Sequence, residues 1–311
     1  MKKLFKLVIL LLVVLPSKAQ TIDYTITKNE PEFKNVPNLF ISPCITLDAP
    51  IIGAGGADAM NASTLGWGIR SHAILREKLI VDANFMRSMW NVVSKVAQKP
   101  MQIELGGAYL TKVRVKEKNM KVVLSREEIS REHVTFENKV KVTERINYVN
   151  VMGNEMRFSG FRGGAYFFRS IFDYDIRDNQ PNTSFQLDYD VTGYTDAIGV
   201  YGGITFGRIR NLQIQLKDGR KRAEMLYTRW YADLIIAPYR NTFLSTTPNN
   251  LTKFASPVGF RVGFDNTNKV TEGITGRIIG AEVGYRPGYN GFYASFAFSF
   301  LQVRKQITAF N

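Results

Sequence analysis

Residues Gly291 to Arg304 read GFYASFAFSFLQVR. Phe292, Ala294, Phe296, Phe298 and Phe300 fall on one parity, and Tyr293, Ser295, Ala297 and Ser299 fall on the other. A period of two is the signature of a β-strand, because successive side chains point to opposite faces. One face is large and aromatic; the other is small and mostly polar. This pattern recurs along the chain, with short turns between the copies, and so restricts the fold to all-β architectures.

The chain opens MKKLFKLVILLLVVLPSKAQ. Lys2, Lys3 and Lys6 precede an apolar run from Leu7 to Leu15, and Ser17-Lys18-Ala19 fits a small-x-small cleavage site. Residues 1–19 therefore read as a cleaved secretory signal. The apolar run is too short for a membrane helix, which needs about 20 residues, and no run of 18 apolar residues follows it. Any spanning structure must then be a closed barrel, the other form that satisfies its backbone in lipid.

The formal charge is +14; four lysines leave with the signal and no acid does, so the remainder carries about +10. The basic residues are spread over strands and turns, and an exported barrel has no ordinary access to nucleic acid. Lipopolysaccharide phosphates are the more plausible anionic neighbour, alongside outer-membrane lipid. The single cysteine, Cys44, excludes an internal disulfide and a Cys-based metal site. Only His72 and His133 supply imidazoles. No cofactor and no metal are expected.

Residues 20–37 lack strong periodicity and read as a periplasmic N-terminal segment, with the barrel over 38–311. Alternation begins at Leu39 and is interrupted by Pro43. Leu65 to Leu75, Arg76-Glu77-Lys78 and Leu79 to Phe85 make the clearest hairpin. Met101 to Val115 alternates apolar residues with Glu104, Lys112 and Arg114. Glu117–Asn119 reads as a turn, 120–150 as a charged hairpin standing in water, and Gly153-Asn154 as a second turn. Residues 173–190 read as an acidic loop, KDGRK as a turn, and 238–255 as a Pro/Asn/Thr-rich loop. Further alternation runs through Ile198–Phe206, Thr228–Ile236, Val258–Phe264 and Ile279–Tyr285. The sum is a transmembrane antiparallel up-and-down barrel of about twelve strands, with ten to fourteen allowed. Under that count the turns REK, EKN and MGN share the periplasmic side. The longer loops near 52–62, 91–99, 129–138, 173–191 and 238–255 lie outside.

The chain resembles Gram-negative outer-membrane β-barrel proteins as a class, over roughly residues 38–304, through its signal, its alternating strands, its turn and loop asymmetry and its aromatic last strand. The resemblance implies localisation in the outer membrane. It also implies an assembly signal at Phe310 or at the Phe298/Phe300 pair.

The face opposite the apolar parity carries Arg70, His72, Asp82, Glu104, Lys112, Arg114, Arg229, Asp233, Arg261 and Glu282. In a barrel this set lines the lumen. Two readings stay open: a polar conduit, somewhat cationic and favouring anionic solutes, or an internal salt-bridge network that plugs a narrow barrel. The second reading makes the protein a structural, adhesion or secretion/envelope-complex barrel that acts through loops and protein partners.

Asp173, Asp175, Asp178, Asp188 and Asp190 have no calcium-loop spacing, and Gly53–Asp58 lacks the ending of a phosphate loop. Ser71 and His72 are adjacent and point to opposite strand faces, so they cannot pair as nucleophile and base; an enzyme is not expected. Trp67, Trp90 and Trp230 fit interface girdles. The rival fold is a soluble β-sandwich, which would have to hide the apolar parity of nearly every strand in one core.

Overall fold

The computed structural model describes residues 23–31, 39–50, 60–61, 64–75, 78–91, 99–134, 139–177, 188–244, 256–268, 277–287, 292–299 and 303–305. The signal segment, Gly53–Asp58 and Phe310 lie outside the described residues. Thirteen strands are present among the described residues: β1 (Tyr24–Asn29), β2 (Leu39–Pro50), β3 (Met60–Asn61), β4 (Thr64–Leu75), β5 (Leu79–Asn91), β6 (Met101–Val134), β7 (Lys139–Arg177), β8 (Asp188–Leu216), β9 (Lys221–Leu244), β10 (Val258–Asn268), β11 (Arg277–Tyr285), β12 (Phe292–Ser299) and β13 (Val303–Lys305).

Ten of them close on themselves. The ladder runs from β2 through β4, β5, β6, β7, β8, β9, β10, β11 and β12, and β12 returns to β2 with Phe298 opposite Ile45 and Tyr293 opposite Pro50. All these pairings are antiparallel. β1 and β3 lie outside the closed wall, on β8 and β7, and β13 continues the line of β12 along β2. The wall plus the two outer strands makes the expected total of about twelve.

The path of the chain differs from the sequence reading. Glu117–Asn119 and Gly153-Asn154 are not turns. They lie opposite one another inside an uninterrupted ladder, with Glu117 facing Asn154 and Lys118 facing Gly153. Four expected strands are therefore two long ones. β6 consequently ends, and β7 begins, beyond the end of the barrel where β2 begins and β12 finishes, here called the termini end, on the same side as the turn at 217–220. β2, β5, β7 and β9 finish at the opposite end, here called the loop end.

Two further segments are more ordered than expected. β7 runs to Arg177 and β8 starts at Asp188, so Asp173, Asp175, Asp188 and Asp190 of the acidic stretch lie in paired strand, with Asp175 opposite Asp190. β9 continues through Pro238 to Leu244. Pro238, which has no N–H, sits where the β8–β9 register shifts between Ile198 and Val200. Pro43 is tolerated in β2 for the same reason: β12 leaves the ladder at Ile45 and β13 rejoins it at Ile41.

β6 to β9 project past the rest of the wall. β5 starts at Leu79, opposite Tyr109, yet β6 continues to Val134. At about 3.3 Å per residue that is on the order of 80 Å of strand path. Beyond Glu155 and Arg210, β7 and β8 part, and β8 takes β1 as its neighbour, Asn29 opposite Leu212. There the β6–β7 ribbon packs on the β8 side of this sheet. Met120, Val122, Leu124, Val151, Leu212, Ile214 and Leu216 form a buried core of their own. Arg222 Nε donates to the Leu124 carbonyl at 3.0 Å across the two layers. Asn154 Nδ2 donates to the Asn29 carbonyl at 3.1 Å.

Candidate functional site

The outer surface of the wall carries a belt of large apolar side chains. Leu105, Phe161, Ile204, Leu234, Val262, Val283 and Phe296 are exposed, Phe161 at 65%. A soluble protein does not expose a ring of this extent. At the termini-end margin the belt turns aromatic: Phe206 stacks on Trp230, and Trp230 lies 4.9 Å from Phe264 between ring centroids.

The interior is polar and charged. Nearest the loop end, Arg286 Nη2 reaches Asp48 Oδ2 at 2.8 Å and its guanidinium lies over the rings of Tyr293 and Phe168. Next comes a cluster centred on Arg261, which is 1% exposed. Its Nε donates to Asp233 Oδ2 at 2.8 Å, and its Nη1 donates to Glu104 and, at 3.4 Å, to Glu282 Oε2. Glu282 also accepts from the hydroxyls of Tyr231, at 2.9 Å, and Tyr293. Gln102 Nε2 donates to the other carboxylate, Glu104, at 2.6 Å. Arg162 lies over Tyr231 and 3.5 Å from Asp233.

A third layer follows. Arg229 Nη1 donates to both oxygens of Asp82, at 2.8 and 3.0 Å, and its Nη2 donates to Asp265 at 3.2 Å. Arg70 donates to the second Asp265 oxygen at 2.7 Å. Below it, at the termini end, the interior becomes apolar: Phe40, Ile74, Ile80, Leu110, Met156, Phe158, Ile209 and Tyr227 form one buried cluster. His72 is stacked between Phe40 and Tyr227, with centroids 4.4 and 5.1 Å away.

Of the residues picked out by alternation, Arg70, His72, Asp82, Glu104, Arg229, Asp233, Arg261 and Glu282 lie in this interior. Lys112 and Arg114 do not, which corrects their assignment to the lumen. The β6–β7 register slips at Thr111, from Leu110 opposite Gly160 to Lys112 opposite Ser159. A one-residue bulge exchanges the two faces of everything after it. Lys112 and Arg114 thereby share the outer face with Ser159 and Arg157, while Val113 and Val115 join Phe158 and Met156.

The candidate set missed Asp48, Arg162, Asp265 and Arg286. Asp48 shares a parity with Cys44 and Thr46, and Asp265 and Arg286 continue the parities of Arg261 and Glu282 by two further steps, so all three were within reach. Arg162 sits in FSGFRGGAYFFRS, where both faces carry aromatics and no contrast marks the inside. With these included, the arginines Arg70, Arg162, Arg229, Arg261 and Arg286 face the carboxylates Asp48, Asp82, Glu104, Asp233, Asp265 and Glu282. The charges nearly cancel, as the salt-bridge reading of the sequence requires and the cationic-conduit reading does not.

Ser71 and His72 are apart, as adjacent strand residues must be: the Ser71 hydroxyl donates to the Ala83 carbonyl at 2.7 Å, while His72 is held in the aromatic stack. Among the described residues no group of His, Cys, Asp and Glu is arranged to hold a metal ion.

A closed ladder with lipid-compatible side chains outside and charges inside is the inverse of a soluble sandwich. The chain is an outer-membrane-type β-barrel. No family model and no curated protein matches it. Among solved structures it is similar to a channel described as CymD monoaromatic hydrocarbon channel, at 7% identity over 87% of this chain and 89% of that one, TM-score 0.25. It is also similar to OmpT, an outer membrane protein of Vibrio cholerae, at 10% over 89% and 99%, TM-score 0.17. An anion-selective porin from Comamonas acidovorans gives 9% over 90% and 99%, TM-score 0.15. Scores this low assign neither family nor ligand; the architecture rests on the chain's own strand pairing.

Proposed function

We propose that the protein is an integral outer-membrane barrel whose lumen is closed by its own side chains, and that it works through the β6–β9 projection rather than by conducting solutes. The observation that carries this is the interior stack, in which three layers of ion pairs rest on an apolar floor of Phe40, Phe158 and Tyr227. A ten-stranded barrel is close to the size that side chains fill. Opening it requires separating buried, multiply hydrogen-bonded charges, each of which is costly to leave unpaired. The projection has its own core, so it is built to stand in water, where envelope proteins can reach it.

The deciding experiment is conductance of the refolded chain in a planar bilayer. Insertion without steady current is expected. Stable, salt-dependent single-channel steps would remove the closed reading and favour the second one, a passive channel for small polar solutes. The near-neutral interior then predicts weak ion selectivity and gives no preference for anions.

A further inference from the structure

Immediately past the aromatic margin, the outer face of the projection changes sign. Lys112, Ser159, Phe206 and Trp230 lie in one cross-strand row on β6, β7, β8 and β9. The next row on the same face is Arg114, Arg157 and Arg208, directly opposite one another, followed by Thr228. The row after that is Lys116, Glu155 and Arg210. Lys112, Arg114, Lys116, Arg157 and Arg208 are all exposed.

Like charges directly opposite on neighbouring strands destabilise a sheet. Three consecutive arginines in a row need a counter-charge, and the protein supplies little of it. Glu155 takes Arg157 Nε at 2.8 Å and Arg210 Nε at 2.7 Å, with Lys118 at 3.8 Å. Among the described residues no carboxylate pairs with Lys112, Arg114, Lys116 or Arg208. Instead, Lys112, Arg114, Lys116, Arg157, Ser159 and Phe206 border a cleft of about 330 Å³. One side of the cleft continues into the lipid-facing belt through Phe206, and the other faces water.

We infer that this arginine row is a binding site for the phosphate headgroups of anionic lipids in the leaflet at the termini end. The inference rests on the membrane reading above, which sets the belt in hydrocarbon and so puts the row at headgroup level. Continuity with Phe206, Phe161 and Trp230 favours a lipid over an acidic protein: an acyl chain on the belt and a phosphate on the row are one ligand. Guanidinium forks suit phosphate oxygens, and a row of them recognises a surface that carries many.

The test uses the refolded chain in zwitterionic detergent, with phosphatidylglycerol or phosphatidylethanolamine added and bound lipid counted by native mass spectrometry. The variant is Arg114→Gln with Arg208→Gln, two residues that make no ion pair within the described protein. Selective retention of phosphatidylglycerol is expected, weakened about thirtyfold in the variant, since each basic residue near an anionic surface contributes about 1 kcal/mol. Equal retention of the two lipids, or unchanged retention by the variant, would overturn the inference. Displacement of the lipid by millimolar inorganic phosphate would overturn it too, by showing a free-anion site. A separate insertion assay in vesicles keeps the two readings apart: a chain that does not insert removes both, whereas one that inserts and shows no lipid preference removes only this one.

Discussion

Arg261 gathers three of the six interior carboxylates, Glu104, Asp233 and Glu282. Replacing it with Met leaves Glu104, Asp233 and Glu282 buried around an uncharged side chain. Removing one partner of a buried ion pair costs about 3–5 kcal/mol, and urea titration of the barrel in vesicles should show a loss of that order. Glu155, by contrast, stands beyond the apolar belt. Burial pushes its carboxyl up, but hydrogen bonds from Arg210 and Arg157 outweigh this and hold it below its ordinary range. A group with a depressed folded pKa contributes stability above its unfolded value, and that contribution is lost as the pH falls through the folded one. Protease resistance of the projection should therefore decline on acidification below about pH 4.3, the ordinary glutamate value, and Glu155→Gln should flatten that decline. An acid limb unchanged in Glu155→Gln would show that the carboxylate contributes nothing there.

Among the elements, β6 shows best what was legible in the sequence and what was not. Up to Leu110 its alternation was readable, because lipid on one side and charged interior on the other give the two parities opposite chemistry. The same contrast made β4, β5, β10, β11 and β12 visible. It fails in the projection, where both faces meet protein or water, so polar residues at 117–119 and 153–154 mimic turns inside a continuous ladder. The bulge at Thr111 adds one residue and leaves no compositional mark, which is why Lys112 and Arg114 were assigned to the wrong face. Deleting Thr111 should exchange the faces of the residues that follow, turning Met120, Val122 and Leu124 away from Leu212 and Ile214. The expected result is an inserted barrel whose projection is cut by protease. A projection as resistant as the original would mean that the bulge does not set the register. The turn at 217–220 was legible outright, because Asp-Gly marks it and Gly219 adopts φ 81°. Gly219→Ala should cost about 1–2 kcal/mol for the left-handed backbone, readable as a lower urea midpoint.

For the whole molecule, the sign of its surface is the decisive property. The belt is apolar through a full circuit, from Leu47 on β2 to Phe296 on β12. Arginine at Leu234, exposed on β9 between the aromatic margin at Trp230 and Tyr239, should reduce insertion by about 2–4 kcal/mol, measured as the fraction of chain that resists extraction from vesicles. Full insertion of that variant would place Leu234 away from the hydrocarbon. The fold class was readable because a barrel repeats one pattern many times. The choice between a plugged and an open lumen was not, because it depends on which charges meet across the interior, and alternation along single strands carries no information about partners.

The pairing of β2 with β12 joins residues about 250 positions apart, such as Ile45 and Phe298. Every other strand pairing within the wall joins successive wall strands, so this seam is the one junction that hairpin growth cannot reach. Bringing such distant ends together carries the largest loop-closure entropy in the molecule, and until it happens two strand edges remain unpaired in lipid. The order of assembly is thus written into the topology. The middle of the chain zips first, the ends meet last, and a chain cut after β11 is left as an open sheet with no way to finish.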